Sequence, residues 1–474
     1  MSRIYEAVIG LEVHIELKTG TKIFCACPTD FGAEPNTQCC PVCAGLPGTL
    51  PMLNEKVVEY AVKAGLATNC EIARYARFDR KNYFYPDLPK AYQISQYDMP
   101  LCERGHILIA TGDGEKRIGI TRIHIEEDAA KLVHDDRYGT LIDLNRAGIP
   151  LIEVVSEPDM RSAAEAVAYL KKLRSIVLYA GISDAKMNEG SMRCDVNISV
   201  RVAGEDKLGT RIEIKNLNSF VSVQRAVEYE FRRQVAALEA GESLIQETRR
   251  FEPSTGRTFS MRVKEDADDY RYFPEPDIPP IILDNAAIKR ISASIPPLPD
   301  ERRRTYMEKF GLSAYHSEQL VLERSVSDFF DAAAALTEHR QILASFILSE
   351  VLRYMGEGDA ISVSPAQIAA IADMLGSSRI NGSGAKKLLG ALWGTEGDPA
   401  ELISALDLEQ LSDRAALAEL AKRTIAQHPN MVRDYKIGKQ SALKALMGRA
   451  MSISGGKANP EILRELIVLE LEGQ

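Results

Sequence analysis

The segment Ala7-Val-Ile-Gly-Leu-Glu-Val-His-Ile-Glu-Leu17 alternates apolar with charged side chains along most of its length. Successive side chains of a β-strand point to opposite faces, so this alternation predicts a strand with two unlike sides. The apolar side would pack into a core. The other side carries Glu12, His14 and Glu16 and is unusually rich in charge.

Three later segments repeat this alternation. They cover residues 117–128, 193–202 and 210–220. In the first of them, His124 and Glu126 fall on one side and isoleucines fall on the other. A helix is predicted at 163–180, where Ser162 provides an N-cap and Gly181 a stop. Strands and helices that mix without regular βαβ alternation predict an α+β fold with an antiparallel sheet.

The chain divides at proline-rich breaks. Ile295-Pro-Pro-Leu-Pro299 favours an extended linker, and the elements predicted after it are all helices. A weaker break falls at 394–399. The predicted domains are residues 1–294, 295–405 and 406–474.

The charge balance excludes some classes of protein. The 474 residues carry 58 Lys and Arg against 67 Asp and Glu, a formal net charge of −9. A uniformly basic nucleic-acid coat is therefore excluded, although a local basic patch is not. No segment reaches about 18 uninterrupted apolar residues, and Glu6 and Glu12 interrupt the N-terminus before any apolar signal region. We expect a cytoplasmic protein.

Five of the eight cysteines lie close together in the sequence. Cys25 and Cys27 form one pair, and Cys40 and Cys43 form a second pair after twelve residues. In a reducing compartment this spacing predicts a tetrahedral zinc site whose filled shell would be structural. The alternative is a set of unligated buried thiols. Cys39 would be a spare thiol able to exchange with Cys40.

The charged sides of the predicted strands combine carboxylates with imidazoles, which suits Mg²⁺ or Mn²⁺. The candidates are Glu12, His14, His124, Glu126, Glu127, Asp128, Glu189, Arg193 and Asp195. On any one strand, the alternative is simply a side that faces solvent. Several such strands in one domain favour a metal, because a carboxylate-lined face needs positive charge to offset its repulsion.

Nucleotide-binding motifs are limited to one candidate. The segment 78–87 interleaves cations with aromatic rings, so that Arg80 or Lys81 could neutralise a phosphate and tyrosines could pack on a base. An aromatic core strand is the alternative. The similar segment 266–277 is too acidic for phosphate without a metal. Since neither GxxxxGK[ST] nor GxGxxG after a strand occurs, any ATP would have to be held through metal and carboxylates.

The C-terminal region has its own charge. Residues 432–458 contain six basic side chains and one acid, Asp434, which gives +5. The basic residues are Arg433, Lys436, Lys439, Lys444, Arg449 and Lys457. They form either a solvated helix face or a surface that contacts a nucleic-acid backbone.

Long motifs throughout the chain resemble those of the GatB/GatE family, the B subunits of aspartyl/glutamyl-tRNA(Asn/Gln) amidotransferases. They are IGLEVHIEL, FGAEPNT, CPVCAGLPG, FDRKNYFYPDLPKAYQISQ, ITRIHIEEDAAK, LIEVVSEPDM, GSMRCDVNISV, EIKNLNSF, QETRRF and DDYRYFPEPD. The tail DYKIGKQSALKALMGRAM looks like a YqeY-type domain. The resemblance implies a cradle domain similar to glutamine synthetase and guanido kinases, followed by a helical domain and a small helical tail.

The resemblance also implies a reaction. Such a ligase uses ATP to phosphorylate the side-chain carboxylate of mischarged Glu-tRNA(Gln) or Asp-tRNA(Asn). Ammonia that the GatA glutaminase releases from glutamine then displaces the phosphate, within a heterotrimer completed by GatC. A non-catalytic tRNA-binding adaptor and a stand-alone ligase are the alternatives.

The family's site residues carry over onto matching positions. The resemblance implies Mg²⁺ ligands at Glu12, His14, Glu126, Glu127 and Asp195, with the choice between Glu126 and Glu127 left open. Lys81 would neutralise phosphate, and Glu189 and Arg193 are further candidates for binding ATP. The zinc cysteines occur in part of the family only, so zinc would support the fold. The basic tail would approach the elbow of the tRNA.

Overall fold

The computed structural model describes residues 3–112, 114–263, 270–355 and 360–472. It divides into two compact units, Met1–Leu298 and Pro299–Gln474. The division of the chain into three domains stays a prediction. Among the described residues, no helix is both long and apolar enough to cross a bilayer.

The first unit contains all the named strands of the described residues. They are β1 (Tyr5–Glu16), β2 (Glu71–Ile72), β3 (Tyr75–Ala76), β4 (Asp79–Asn82), β5 (Tyr92–Ser95), β6 (Cys102–Thr111), β7 (Gly114–Glu127), β8 (Lys131–Asp135), β9 (Gly139–Asp143), β10 (Pro150–Ser156), β11 (Met192–Val202), β12 (Ile212–Leu217), β13 (Glu247–Glu252), β14 (Arg257–Val263), β15 (Phe273–Pro274) and β16 (Ile281–Ile282). Its helices are α1 (Glu55–Ala67), α2 (Ala163–Tyr179), α3 (Phe220–Glu239) and α4 (Asn285–Ala293).

Nine strands form the main sheet, in the order β14-β13-β12-β11-β1-β10-β7-β6-β2. Neighbouring strands are antiparallel except β12 and β13, which are parallel. The expectation of an antiparallel sheet is thus wrong for this pair. The reason is the connection: α3 carries the chain from β12 back to the start of β13, and parallel neighbours need such a crossover.

One face of the main sheet forms the core of the unit. From β1, Leu11, Val13 and Ile15 are fully buried in a cluster that includes residues of α1, α2 and α3. Helix α2 begins where Ser162 accepts a hydrogen bond from the amide of Glu165, and it buries Leu170 and other apolar side chains. Because alternation is strict along β1, burying the apolar side leaves Glu12, His14 and Glu16 on the opposite face.

Small sheets lie beside the main one. Strands β15, β4 and β5 form a three-stranded sheet, β16 pairs with β3, and β8 pairs with β9. In the first of these, Lys81 pairs with Gln93 across β4 and β5. Part of the cation-aromatic segment 78–87, including Arg80 and Lys81, therefore lies on a strand.

The described elements of the second unit are helices. They are α5 (Pro299–Glu308), α6 (Ala314–Leu320), α7 (Arg324–Ala334), α8 (Arg340–Phe346), a π-helical turn (Ile347–Val351), α9 (Leu352–Tyr354), α10 (Pro365–Gly376), α11 (Gly382–Leu392), α12 (Pro399–Ala405), α13 (Arg414–Gln427), α14 (Pro429–Lys436), α15 (Gln440–Ile453) and α16 (Pro460–Glu472). The capping box predicted at Ser364 and Gln367 is present. One apolar cluster spans residues 306–403 and a separate one spans 417–471.

Candidate functional site

Strand pairing arranges the charged side chains of the main sheet in transverse rows. Across β7, β10, β1 and β11, one row consists of His124, Glu153, His14 and Arg193. The adjacent row consists of Arg122, Val155, Glu12 and Asp195. We call these two rows, together with Glu126, Glu213 and Lys215 beside them, the charged face. It lies on the side of the sheet opposite the helices.

The first potential metal site on the charged face consists of His14, Glu126 and Glu153. One ligand atom from each of these residues lies within 4.8 Å of the others. His14 Nε2 is 3.2 Å from Glu126 Oε1 and 3.5 Å from Glu153 Oε2. His124 Nε2 lies 3.3 Å from the same oxygen of Glu153. Three separate strands therefore supply one compact set of oxygen and nitrogen donors.

Burial and charge act against each other in this first site. Burial lowers the pKa of His14, but the carboxylates of Glu153 and Glu126 outweigh it and raise that pKa to about 9. Burial raises the pKa of Glu153, but His124 and His14 lower it to about 2. The carboxylates thus stay ionised because positive charge lies next to them. A divalent cation held by the same oxygens could supply that charge with neutral imidazoles.

The second potential metal site consists of Glu12, Asp195 and Glu213, again with ligand atoms within 4.8 Å of one another. Burial and the nearby Glu153, Glu213 and Asp195 carboxylates all raise the pKa of Glu12. Asn197 donates a hydrogen bond to Glu12 at 2.9 Å, and its own buried Oδ1 has no hydrogen-bond partner among the described residues. Three crowded carboxylates beside an unsatisfied oxygen fit a hard cation such as Mg²⁺.

Cations border both potential metal sites. The Lys81 ammonium lies 4.9 Å from the centre of the Tyr270 ring and 5.6 Å from that of Tyr83. Burial lowers the pKa of Lys81, but Tyr272, Glu126 and other groups outweigh burial, so the pKa lies above its usual value. On the other side, Lys215 donates a hydrogen bond to Asp195 and lies 3.3 Å from Glu213. The charged face therefore offers cations to an anion bound there.

The four paired cysteines form a third potential metal site, in what we call the cysteine lobe, residues 22–52. Their sulfur atoms all lie within 4.8 Å of one another, and those of Cys40 and Cys43 are 4.0 Å apart. Tetrahedral zinc with Zn–S bonds of about 2.3 Å requires sulfurs about 3.8 Å apart. The four cysteines therefore fit a zinc ion.

The charges around these sulfurs are unequal. A hydrogen bond from Cys25, opposed by burial and aided by the amide of Cys40 and the Lys22 ammonium, lowers the pKa of Cys43 to about 4. Cys39 instead points its sulfur at the carbonyl of Asn36, 3.3 Å away. It is not among the four clustered ligands.

Comparison with known proteins identifies the family. A model of the GatB/GatE catalytic domain matches residues 7–289, and a model of a GatB domain matches residues 328–471. The chain belongs to the GatB/GatE family.

Curated relatives agree with this assignment. The chain is 50% identical to the B subunit of the aspartyl/glutamyl-tRNA(Asn/Gln) amidotransferase of Caldicellulosiruptor saccharolyticus, with 99% of both chains covered. It is also 50% identical to the B subunit of the same name from Geotalea daltonii, with 99% of this chain and 100% of the relative covered. The charged face lies wholly within the part matched by the GatB/GatE catalytic-domain model.

Two site residues that were predicted from this GatB/GatE sequence, Glu127 and Glu189, belong to neither potential metal site on the charged face. Glu127 accepts hydrogen bonds from Lys90 Nζ at 2.6 Å and from the amide of Ile94 at 2.9 Å. It lines a cavity of about 40 Å³ that Lys22 and Cys43 also line. Glu189 pairs with Lys186 at 2.9 Å. Roles for Glu127 and Glu189 in binding metal or ATP stay predictions.

The guanidinium of Arg193 lies at the edge of the charged face and donates to Asp128 at 2.6 Å. Nearby Glu16 has a pKa of about 7, because burial and Asp128 raise it more than Arg193 lowers it. Arg193 therefore supplies charge to carboxylates of the chain itself. Its predicted role in binding ATP stays a prediction.

Two acids of the charged face, Glu153 and Glu213, are not among the candidates predicted from sequence. Glu213 lies in the alternating segment RIEIK, between the buried Ile212 and Ile214, so alternation was the signal that could have found it. Glu153 is a single acid in the apolar run LIEVV, where no alternation of charge marks it. The proximity of the two acids to His14 and Glu12 follows only from the order of the strands.

Most of the basic residues of the C-terminal tail are exposed. Arg433 and Lys436 lie on α14, and Lys444 and Arg449 lie on α15. Within the described parts of the chain, two of the six have acidic partners: Lys439 pairs with Asp434 at 3.0 Å, and Lys457 pairs with Asp407. Contact of the six with tRNA stays a prediction. Part of the acidic segment 266–277, residues 266–269, lies outside the described residues.

Proposed function

We propose that this chain is the B subunit of a glutamine-dependent tRNA amidotransferase and that its charged face is the kinase site. The observation that carries the proposal is the presence of two metal-ligand sets, adjacent on β1, on one face of one sheet. The names of its curated relatives support the substrate class, a tRNA charged with aspartate or glutamate.

The chemistry explains why such a site needs many charges. A carboxylate is a poor electrophile, and transfer of the ATP γ-phosphate to it creates a leaving group that ammonia can displace. Two anions must approach each other for this transfer, so catalysis consists mainly of positioning and charge stabilisation. The carboxylates of the charged face would hold Mg²⁺, which would supply positive charge to screen the two anions.

Different residues would hold the cations and neutralise the phosphate oxygens. His14, Glu126 and Glu153 would hold one cation, and Glu12, Asp195 and Glu213 would hold another. Lys81 and Lys215 border the two sets and would neutralise phosphate oxygens. Of the two candidates at the end of β7, Glu126 is the better ligand, because its carboxylate lies in the cluster with His14 and Glu153, whereas Glu127 is bonded to Lys90.

The remaining parts have supporting roles in this proposal. Zinc in the cysteine lobe would be structural, because four thiolates fill its coordination shell. GatA would supply ammonia and GatC would complete the heterotrimer, which would work in the cytoplasm. The exposed cations of the tail would contact the tRNA backbone.

The decisive experiment measures ATP hydrolysis by the reconstituted complex with charged tRNA, with uncharged tRNA and without tRNA. We expect hydrolysis, and amidation when glutamine is added, only with charged tRNA. Glu153→Gln should abolish both activities, whereas Glu115→Gln, an exposed position at the other end of β7, should not. Full amidation by the Glu153→Gln complex would reject the charged face as the kinase site. A complex that binds tRNA without using ATP would instead be an adaptor.

A further inference from the structure

Arg122 is an arginine of the charged face whose charge has no acidic partner among the described residues. It lies on β7, two residues before His124 and on the same side of the strand. Its Nε is buried, and no residue that the structure describes forms a hydrogen bond with it. Glu103 lies directly opposite Arg122 on β6, but its Oε2 atom pairs with Nη1 of Arg104 at 3.7 Å. Burying an unsatisfied guanidinium nitrogen costs stability, so this arrangement requires a reason.

An aromatic ring lies beside the guanidinium of Arg122. The centre of the guanidinium lies 5.9 Å from the centre of the Tyr97 ring. Tyr97 in turn stacks on Tyr272, with ring centres 4.2 Å apart and an angle of 9° between the rings. An arginine packed against a ring keeps its planar set of donors available for a carboxylate or phosphate. Tyr97 is 45% exposed, so this end of the charged face is open to solvent.

The position of Arg122 relative to the potential metal sites limits what it can bind. In its transverse row, only Val155 separates Arg122 from Glu12. Neighbouring strands are about 4.8 Å apart, so the two Cα atoms are separated by about 10 Å. The half-buried side chain of Val155 offers no charge and forms the floor between them. A small anion above this floor could lie near both the arginine and a cation held by Glu12.

We propose that Arg122 binds the side-chain carboxylate of the aminoacyl group, the oxyanion that receives the phosphate. This inference rests on the proposed function. Phosphate oxygens of ATP belong beside the metal ligands, so the accepting carboxylate must lie next to them on the same face. A guanidinium pairs with a carboxylate through two parallel hydrogen bonds. The amide product has no charge and binds Arg122 more weakly, which favours its release.

The test compares variants of Arg122 in the reconstituted complex with wild type in parallel. Arg122→Gln removes the charge, Arg122→Lys keeps the charge but loses the paired donors, and Arg117→Gln on the same strand is an exposed control. We expect kcat/KM for mischarged tRNA to fall about 10- to 100-fold in Arg122→Gln and by less in Arg122→Lys. The affinity for Mg-ATP, measured by equilibrium binding, should stay within about twofold in all three variants.

Other results would overturn the assignment. Unchanged kcat/KM for mischarged tRNA in Arg122→Gln would reject the assignment, whether or not the affinity for Mg-ATP is weakened. If Arg122→Gln does not fold, wild-type kinetics in Arg122→Lys would reject the paired contact. A wild-type complex that uses no ATP with charged tRNA would overturn the proposed function and this inference with it. An active wild type with unaffected variants would overturn this inference alone.

Discussion

The charged face and the cysteine lobe both gather potential metal ligands within 4.8 Å, but they do so in opposite ways. The cysteine lobe takes four sulfurs from one short stretch, residues 25–43, and these complete a tetrahedral shell. The charged face takes oxygens and a nitrogen from five strands, leaves room for further ligands, and places cations nearby. A closed shell can only stabilise the fold, whereas an open one can also bind and activate a substrate.

The largest effect should follow from changes in the charged face. Glu126→Gln removes a ligand charge at nearly constant volume, and amidation and tRNA-dependent ATP hydrolysis should fall on the order of 100- to 1000-fold. Binding of tRNA should change little, since the basic tail lies in the other unit. Glu12→Ala should have the same effect on activity. If both variants kept their activity, the charged face would not differ from the cysteine lobe in this way, because its metal ligands would then be structural as well.

Loss of zinc should affect stability more than chemistry. The purified chain should contain about one zinc ion, as its four clustered cysteines require. Cys43→Ser should lose the zinc and lower the Tm of the chain, because binding energy at a structural site contributes to folding. Cys39→Ser is the matched control, since this neighbouring thiol lies outside the cluster. Equal zinc loss in both variants, by elemental analysis, would show that Cys39 takes part.

Lys22 offers a finer test of the cysteine lobe. It is fully buried, and its Nζ lies 3.6 Å from Cys43 Sγ and 3.1 Å from the carbonyl of Leu144. Four thiolates around one Zn²⁺ leave excess negative charge, which this ammonium offsets. Lys22→Met should weaken zinc binding by about tenfold, as loss of an outer partner of a metal ligand does. Competition with a chelator measures this, and the exposed Lys18→Met should match wild type.

The smallest effect should come from the tail, which belongs to neither region. Lys444→Glu with Arg449→Glu should weaken tRNA binding and reduce the salt slope of log K by roughly one to two, as expected for the loss of up to two phosphate contacts. Lys457→Glu should matter less, because Lys457 already pairs with Asp407. Lys309→Glu, at an exposed position outside the tail, is the control. Filter binding at several salt concentrations that showed equal affinity for the double variant and wild type would reject the tail as a tRNA contact.

The sequence by itself determined several features that depend on neighbours along the chain. Alternation with a period of two assigned Glu12 and His14 to one side of a strand, because the backbone geometry of a strand enforces it. The spacing of the cysteines predicted their cluster, because a loop of twelve residues is long enough to bring two pairs together. The proline-rich stretch at 295–299 marked the change from strands to helices for the same local reason.

Only the tertiary structure decided which strands lie side by side. Glu153 joins His14 because β10 pairs with β1, and Glu213 joins Glu12 because β12 lies next to β11. The pairing of β10 with β7 places Arg122 directly opposite Val155, and tertiary contacts bring Lys90 to Glu127. Alternation says that a side chain leaves a strand on one of two sides. It carries no information on the neighbouring strand, because strand order results from helix crossovers and core packing between segments far apart in sequence.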